Sequence, residues 1–233
     1  MDKKTINEDE VFAINPDYST ELLNFDGVKV LIVDDFYKNP YMVRQLALDI
    51  PASTNKRIRG NNPALRVNAF YELSSMAWIY DQLARQYFPE VMENYPIDYM
   101  ENSFRNATFM VNVMQTENLP PVCPHMDNTS GVNLASTIYL NTANECNGGT
   151  SFYKFGGKTY YEDPTVKHTL DIAGKMHVSE YITDSIVDWE LLGVAHMKFN
   201  RMVLYNQAVL HTAYVKPHMF RDNLYRINQQ FFI

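Results

Sequence analysis

Residues 124–128 read Pro-His-Met-Asp-Asn, and the expected fold and chemistry both depend on this spacing. In an extended strand, alternate side chains project from the same face. His125 and Asp127 can therefore direct an imidazole and a carboxylate toward one point. A third ligand has to come from elsewhere, and His211, 86 residues after His125, ends a strand-like run in YNQAVLHTAYV. We predict that a folded sheet brings His125, Asp127 and His211 together as a metal site.

The ligand types indicate which metal the site would hold. Two imidazoles and one carboxylate on one face of an ion leave other positions open, which is typical of non-haem Fe(II) oxygenases. A structural zinc site is instead usually closed by four Cys or His ligands. A His-x-Asp tripeptide is a weak signal alone, and its weight here comes from the distal histidine. The four histidines for which no role is predicted are His168, His177, His196 and His218.

The composition of the 233-residue chain predicts a globular protein. Hydrophobic residues make up 46% of the chain and aromatic residues 13%, which is enough to form a full core. The 20 basic and 27 acidic residues give a net charge of −7. Because nucleic-acid binders need a basic face to displace counterions, this balance argues against a general nucleic-acid binder.

No export or membrane signal is found in the sequence. The first residues lack the apolar core of a signal peptide, and no apolar run approaches the roughly 18 residues that a membrane-spanning helix needs. The two cysteines, Cys123 and Cys146, favour a reducing compartment over a disulfide framework. We therefore expect a cytoplasmic protein without a membrane partner. Cys123 is expected to be a buried, inert thiol.

The N-terminal part of the chain, residues 1–102, is expected to form one strand and helices that support a sheet. Val28–Val33 is apolar and β-branched, which predicts a strand. Residues 1–27 are expected to be irregular. Asn39-Pro40 predicts the start of a helix that continues to about Leu48.

A second helix and a basic loop complete this part of the chain. Ser74 or Ser75 is predicted to cap a helix that runs to Tyr87, because apolar side chains recur there at helical spacing. Residues 51–68 are rich in turn-forming residues and are predicted to be a loop. Its basic side chains could attract an anionic substrate, but a solvated surface loop is the preferred interpretation. They are Lys56, Arg57, Arg59 and Arg66.

From about residue 103 the pattern changes to short β-rich runs. They are ATFMVNVMQ, NLASTIYLN, KFNRMVLYNQ and LYRINQQFFI, separated by turn-like stretches such as NECNGG. Such runs after N-terminal helices predict a sandwich or barrel with helical support. We expect one domain over residues 1–233, with its β core in 103–233. Residues 156–195 are expected to be an insertion with a helix around Val178–Leu192.

Taken in order, these segments resemble the 2-oxoglutarate- and Fe(II)-dependent dioxygenases. The likeness is to their prolyl-hydroxylase-like branch and to an uncharacterised bacterial and phage group of that superfamily. It is carried by FMVNVMQ, PHMDNTSGVNLASTIYLN and GGTSFYKF, followed by FNRMVLYNQAVLHTAYV and YRINQQFFI. It covers roughly residues 105–155 and 196–233. The ordered set of motifs is more specific than any one of them.

The resemblance implies a double-stranded β-helix, or jelly roll, with Fe(II) on the triad, 2-oxoglutarate as co-substrate and ascorbate as a reductant. The far carboxylate of 2-oxoglutarate would need a cation, and the planar fork of arginine suits it. Arg226, which opens the last β-rich run, is preferred as that cation. Arg221, 10 residues after His211, is the alternative with the more usual family spacing. Tyr139 resembles a family tyrosine that holds the same carboxylate, although an ordinary strand aromatic is the other interpretation.

Two further motifs bear on the chemistry. Halogenases of this superfamily lack the carboxylate ligand, so the presence of Asp127 implies hydroxylation of a C–H bond, with release of succinate and CO₂. Gly148-Gly149 resembles a glycine pair of the family, and a tight turn or a close backbone approach is a sufficient reason for it. The expected partners are O₂ and a small-molecule or peptide substrate. A homodimer is left open.

Two other classes of function are kept as alternatives. One is a non-redox jelly-roll metalloprotein that binds Zn, Mn or Ni at the same triad and acts as an isomerase, hydrolase or sensor. The other is an interaction domain without metal affinity. Arg226 and Tyr139 discriminate between them and the oxygenase, because a plain binding module has no need of a buried cation opposite the metal.

Overall fold

The structure is a computed structural model of the chain. The structure describes residues 64–70, 74–75 and 108–113 by their backbone alone, without their side chains. The residues it describes are 6–49, 64–70, 73–93, 95–96, 108–114, 116–117, 119, 121–127, 134–159, 180–222 and 224–232.

Within these ranges the chain forms four helices and ten strands. The helices are α1 (Glu8–Val11), α2 (Pro40–Asp49), α3 (Ser74–Tyr87) and α4 (Pro89–Met92). The strands are β1 (Ser19–Phe25), β2 (Val28–Asp34), β3 (Ala64–Phe70), β4 (Thr108–Met114), β5 (Leu134–Tyr139), β6 (Gly149–Phe155), β7 (Trp189–His196), β8 (Met202–Asn206), β9 (His211–Tyr214) and β10 (Arg226–Phe232).

The strands build two antiparallel sheets. The larger has seven strands in the order β1-β2-β8-β5-β10-β4-β3, and the smaller has the order β7-β6-β9. The last strand of the chain, β10, lies between β5 and β4 near the middle of the larger sheet. Strands from both halves of the chain share this sheet. The protein is therefore mainly β with supporting helices, as the sequence predicts.

Alternation along the strands explains the two apolar layers. In β8, Met202 and Leu204 join the core between the larger sheet and the helices. Val203 and Tyr205 point the other way and pack with Phe152 of the smaller sheet. Because alternate strand residues project to opposite faces, the larger sheet is buried on both sides. Its inner face, between the sheets, carries the polar side chains described below.

The expectation of an irregular N-terminus is wrong, because α1 and β1 lie within residues 6–27. β1 pairs with β2 through the two-residue turn Asp26-Gly27, where φ is 50° and 91°. An Asp-Gly pair readily adopts positive φ at both positions and favours a tight hairpin. The Asp-Gly pair before the predicted strand at Val28 could therefore have indicated a preceding strand, which is β1.

The predicted loop 51–68 is also partly wrong, because β3 begins at Ala64 and places Arg66 in a strand. β3 pairs with β4, and the paired residues lie 38 to 50 positions apart in the chain (108 − 70 and 114 − 64), so local turn residues do not reveal this strand. Residues 51–63, with the other three basic residues of that loop, lie outside the described residues.

Both predicted helices are confirmed as α2 and α3, but α3 is not capped by a serine. Leu73 occupies its N-cap position, without a side-chain cap. The predicted helix around Val178–Leu192 is wrong over residues 180–192. A tight turn at Val187-Asp188 leads instead into β7 at Trp189, and Asp188 has φ 69°. Among the described residues, no helix has the length and apolar character needed to span a membrane.

Strands β7 and β1, which belong to different sheets, are in contact at Gly193 and Phe25. A Cβ added at Gly193 would run into the ring of Phe25. Phe25 stacks in turn on Phe152 of β6, with ring centres 5.8 Å apart. A glycine at this position therefore lets an aromatic side chain close the side of the sandwich.

We expect Gly193→Ala to lower the free energy of unfolding by about 1–3 kcal/mol, because the added methyl overpacks this contact. Urea denaturation measures the change. Phe25→Leu in the same background should recover part of the loss, since it removes the ring that the methyl meets. An unchanged stability of Gly193→Ala would show that the sheets are not closed by this contact.

Candidate metal centre

The structure brings the three predicted ligands together. Ligand atoms of His125, Asp127 and His211 all lie within 4.8 Å of one another. One Asp127 carboxylate oxygen is 3.1 Å from Nε2 of His211, and the other is 3.8 Å from Nε2 of His125. One ion with bonds of about 2.0–2.2 Å could touch all three groups after small adjustments. Within the described ranges, no other group of His, Cys, Asp and Glu side chains meets the same criterion.

Backbone hydrogen bonds hold the ligand-bearing segments side by side. The N–H of His125 donates to the carbonyl of His211, and the N–H of His211 donates back, both at 2.8 Å. The N–H of Asp127 donates to the carbonyl of Gln207 at 3.0 Å. Residues 121–127 thereby run beside β9. The alternation predicted from the sequence puts the imidazole of His125 and the carboxylate of Asp127 on the side of His211.

The exposure of the three side chains differs in a way that suits a reacting centre. His211 is 6% exposed and Asp127 18%, whereas His125 is 33% exposed. The carboxylate and the distal imidazole are therefore enclosed by protein, and the His125 side of the group is accessible. A metal held here would keep positions that small molecules can reach.

The ring of His211 is fixed from two directions. Its Nδ1 lies 2.9 Å from the carbonyl of Val209. A proton on Nδ1 would donate to that carbonyl and leave Nε2 available to a metal, which is the usual second contact of a ligating histidine. The ring of Tyr205 packs against His211 with centres 4.8 Å apart.

Asp127 and Val209 also influence the pKa of the His211 imidazole in the metal-free protein. Burial by itself lowers the pKa of the imidazole, but the Asp127 carboxylate and the Val209 carbonyl outweigh burial, and the pKa is raised. A proton on Nε2 is thus stabilised by the same carboxylate that would bind the metal. Metal and proton compete for this atom.

A second polar group lies on the inner face of the larger sheet, around Arg226. Its guanidinium is buried, with the residue only 5% exposed. Nη1 donates to Oδ1 of Asn228 at 2.6 Å, and Nη2 donates to the carbonyl of Gly149 at 3.2 Å. The guanidinium carbon lies 5.5 Å from the centre of the Tyr139 ring.

These contacts leave the charge of Arg226 uncompensated. No carboxylate of the described residues forms an ion pair with it, and its partners are an amide, a carbonyl and an aromatic ring. Its Nε and the Nδ2 of Asn228 are buried donors without a hydrogen-bond partner. Burying a charge is costly unless an opposite charge or hydrogen bonds satisfy it. The site is therefore suited to an anion that accepts from both donors.

Tyr139 and Arg221 occupy very different positions. Tyr139 is fully buried, and its hydroxyl lies 2.7 Å from Oγ1 of Thr150 in the facing sheet. Burial raises the pKa of this phenol, an effect that the nearby Arg226 reduces. Arg221 lies at the surface with its side chain 63% exposed, 3.8 Å from Asp222. Of the two candidate arginines, only Arg226 lies between the sheets.

The glycine pair Gly148-Gly149, at the start of β6, permits close backbone approach. A Cβ at Gly148 would run into the carbonyl of Tyr214, and one at Gly149 into that of Ala195. Gly148 also has φ 79°. Since the Gly149 carbonyl accepts from Arg226, this close packing also positions an acceptor for the guanidinium.

The sequence reasoning did not single out Asn228 and Tyr205. Asn228 follows Arg226 at the two-residue spacing of a strand face, so it could have been found once Arg226 was assigned. Tyr205 lies on the inner face of β8 between the metal ligands and Tyr139. Burial and the nearby Asp127 carboxylate raise its pKa well above the ordinary value, so its phenol stays protonated.

Comparison with known proteins places the chain in a family. Residues 14–224 match the model of DUF6445, a family of unknown function. The chain belongs to this family. No curated protein matches its sequence. Among solved structures, an N-substituted L-amino acid dioxygenase from Burkholderia ambifaria AMMD is similar at 13% identity and a TM-score of 0.40, over 89% of this chain and 83% of that one. A likeness this distant does not assign an activity to the DUF6445 protein.

Cys123 precedes His125 by two residues, but its thiol belongs to another environment. It is 2% exposed and packs with Tyr153, Trp189 and Leu210. Burial raises the pKa of the thiol, so little thiolate is present at neutral pH. Since the thiolate is the form that binds metals, Cys123 is not suited to be a fourth ligand.

We expect Cys123→Ala to bind divalent metal with unchanged affinity and to lose some stability through the cavity it leaves. Titration with Co(II) measures the affinity, and thermal unfolding measures the stability. His125→Ala, which removes a ligand, is the comparison. If Cys123→Ala lost as much affinity as His125→Ala, the thiol would be part of the metal site.

Proposed function

We propose that this DUF6445 protein is a non-haem Fe(II)- and 2-oxoglutarate-dependent dioxygenase that hydroxylates a C–H bond. The observation that carries the proposal is the guanidinium of Arg226, which is buried between the sheets and forms no ion pair with a carboxylate of the described residues. A metal site alone would fit many activities. A cation that needs an anionic partner deep in the protein favours a carboxylate co-substrate.

The donor set of the site fits Fe(II). His125, Asp127 and His211 supply two nitrogens and one oxygen, and no thiolate is present to favour zinc or copper. When bound, Fe(II) with 2-oxoglutarate and O₂ supplies an oxidative decarboxylation that yields succinate and CO₂ and inserts one oxygen atom into the substrate. In this proposal the two antiparallel sheets that face each other form a jelly roll.

The residues of the chain would divide the remaining tasks. Arg226 would hold the far carboxylate of 2-oxoglutarate, and its Nε and the Nδ2 of Asn228 are the donors still available for it. Tyr139 would form one wall of this pocket, with its ring beside the guanidinium. The accessible side of His125 would face the substrate, a small molecule or a peptide. Ascorbate would serve as a reductant that keeps the iron in its Fe(II) state.

An anaerobic titration tests the proposal directly. Purified protein with Fe(II) is mixed with 2-oxoglutarate in the absence of O₂, and the visible spectrum is recorded. We expect the weak metal-to-ligand charge-transfer band that forms when a 2-oxo acid chelates Fe(II). A folded protein that binds Fe(II) but shows no band would contradict the co-substrate. One that binds no divalent metal would contradict the metal site.

We expect Asp127→Ala to abolish Fe(II) binding and 2-oxoglutarate turnover, because it removes one of three protein ligands. Succinate release measures turnover, and circular dichroism checks the fold. The exposed Asp222→Ala is the matched control and should behave like the wild type. Succinate release by Asp127→Ala at the wild-type rate would disprove the triad.

We expect Arg226→Met to raise the KM for 2-oxoglutarate by roughly 10- to 150-fold, since hydrogen bonds to a charged group contribute about 1.5–3 kcal/mol. Methionine keeps an unbranched side chain as far as the position of Nε and removes the charged guanidinium. Arg221→Met is the control at the protein surface and should leave the KM unchanged. The reverse pattern would move the co-substrate role to Arg221.

A further inference from the structure

The metal group depends on two segments that are far apart in the chain. Residues 121–127 carry His125 and Asp127, and β9 begins at His211. Backbone hydrogen bonds join the two chain regions at the histidine pair and, on one side of it, between Asp127 and Gln207. On the other side of the pair lie the residues before His125 and after His211, and a contact there would further constrain the angle between the two imidazoles.

Tyr181 connects the same two segments a few residues away. Its backbone pairs with Val122, and the N–H of the next residue, Ile182, donates to the Val122 carbonyl at 3.0 Å. Its hydroxyl donates to the carbonyl of Ala213 at 3.0 Å and lies 3.1 Å from Oγ1 of Thr212. One residue thus contacts the strand segment before His125 and the strand residues directly after His211.

The phenol of Tyr181 is partly buried, and the charge of Arg226 acts on it. Burial raises its pKa, and the hydrogen bond with Thr212 and the charge of Arg226 act in the opposite direction. The ring packs with the inter-sheet core. Tyr181 comes from residues 156–195, which the sequence predicts to be an insertion with a helix around Val178–Leu192.

We infer that Tyr181 is a positioning residue of the metal centre, whose hydroxyl links β9 to residues 121–127 and sets the relative orientation of His125 and His211. The inference rests on the proposed metal site and goes beyond it, because Tyr181 is not a ligand. Outer contacts that orient ligands affect metal affinity by about 10- to 100-fold. Loss of this hydroxyl should therefore weaken metal binding while the protein stays folded.

The test uses full-length, metal-free protein and Co(II), which resists oxidation by air and whose visible bands report coordination geometry. Tyr181→Phe removes the hydroxyl and keeps the ring. We expect its Kd for Co(II) to rise about 10-fold and its visible bands to shift. Thr212→Val breaks part of the same contact from the other side. We expect the double variant to lose less affinity than the sum of the two single losses.

Tyr80→Phe is the matched control. Tyr80 is fully buried, and its hydroxyl lies 2.8 Å from Oγ of Ser136 on the opposite face of the larger sheet. It should lose stability by a similar amount and keep the wild-type Kd and spectrum for Co(II). This comparison separates a loss of positioning from a general loss of stability.

Each outcome has one interpretation. A higher Kd and a shifted spectrum in Tyr181→Phe, absent in Tyr80→Phe, support the inference. Wild-type affinity in both Tyr181→Phe and Thr212→Val overturns it and leaves the proposed function intact. Equal losses in Tyr181→Phe and Tyr80→Phe also overturn it. A wild-type protein that binds no Co(II) overturns the proposed function, and the inference with it.

Discussion

The reciprocal hydrogen bonds between the backbones of His125 and His211 are the constraint on which the candidate site depends. They join an extended segment to a strand 86 residues away. The paired backbones fix the positions of the Cα atoms of His125 and His211. Alternation along the extended segment then directs the Asp127 side chain to the same face as His125. Side-chain rotamers alone could not assemble three ligands from such distant positions, because loop closure over this length has to be compensated by pairing and packing.

The second half of the site follows from the position of β10. Its alternation sends Arg226 and Asn228 into the space between the sheets, while Ile227 and Phe231 enter the core beneath the helices. The strand therefore contributes to stability with one face and to binding with the other. Because β10 lies between β5 and β4, its pairing completes the larger sheet and also positions the polar group around Arg226.

Residue spacing along the chain predicts the metal group better than it predicts the strands of the two sheets. The His-x-Asp spacing and the apolar run before His211 are enough to propose the metal group, and strand register is enough to choose Arg226 over Arg221. Strand β7 shows where local signals fail. Its residues WELLGVAH include good helix formers, but pairing with β6 makes them a strand, and such pairing overrides local propensity.

Side-chain contacts between distant parts of the chain could not be predicted from the sequence either, because they too depend on how the strands pair. The hydroxyl of Tyr181 reaches Thr212, 31 residues further on, and no spacing rule joins them. Among the described residues no carboxylate forms an ion pair with Arg226, and this feature likewise depends on its surroundings in the fold and not on a local pattern. A buried cation with unpartnered donors is costly to the folded protein. In the proposed function, an anion bound between Arg226 and the metal would satisfy these donors and also explain why one side of the metal group is accessible.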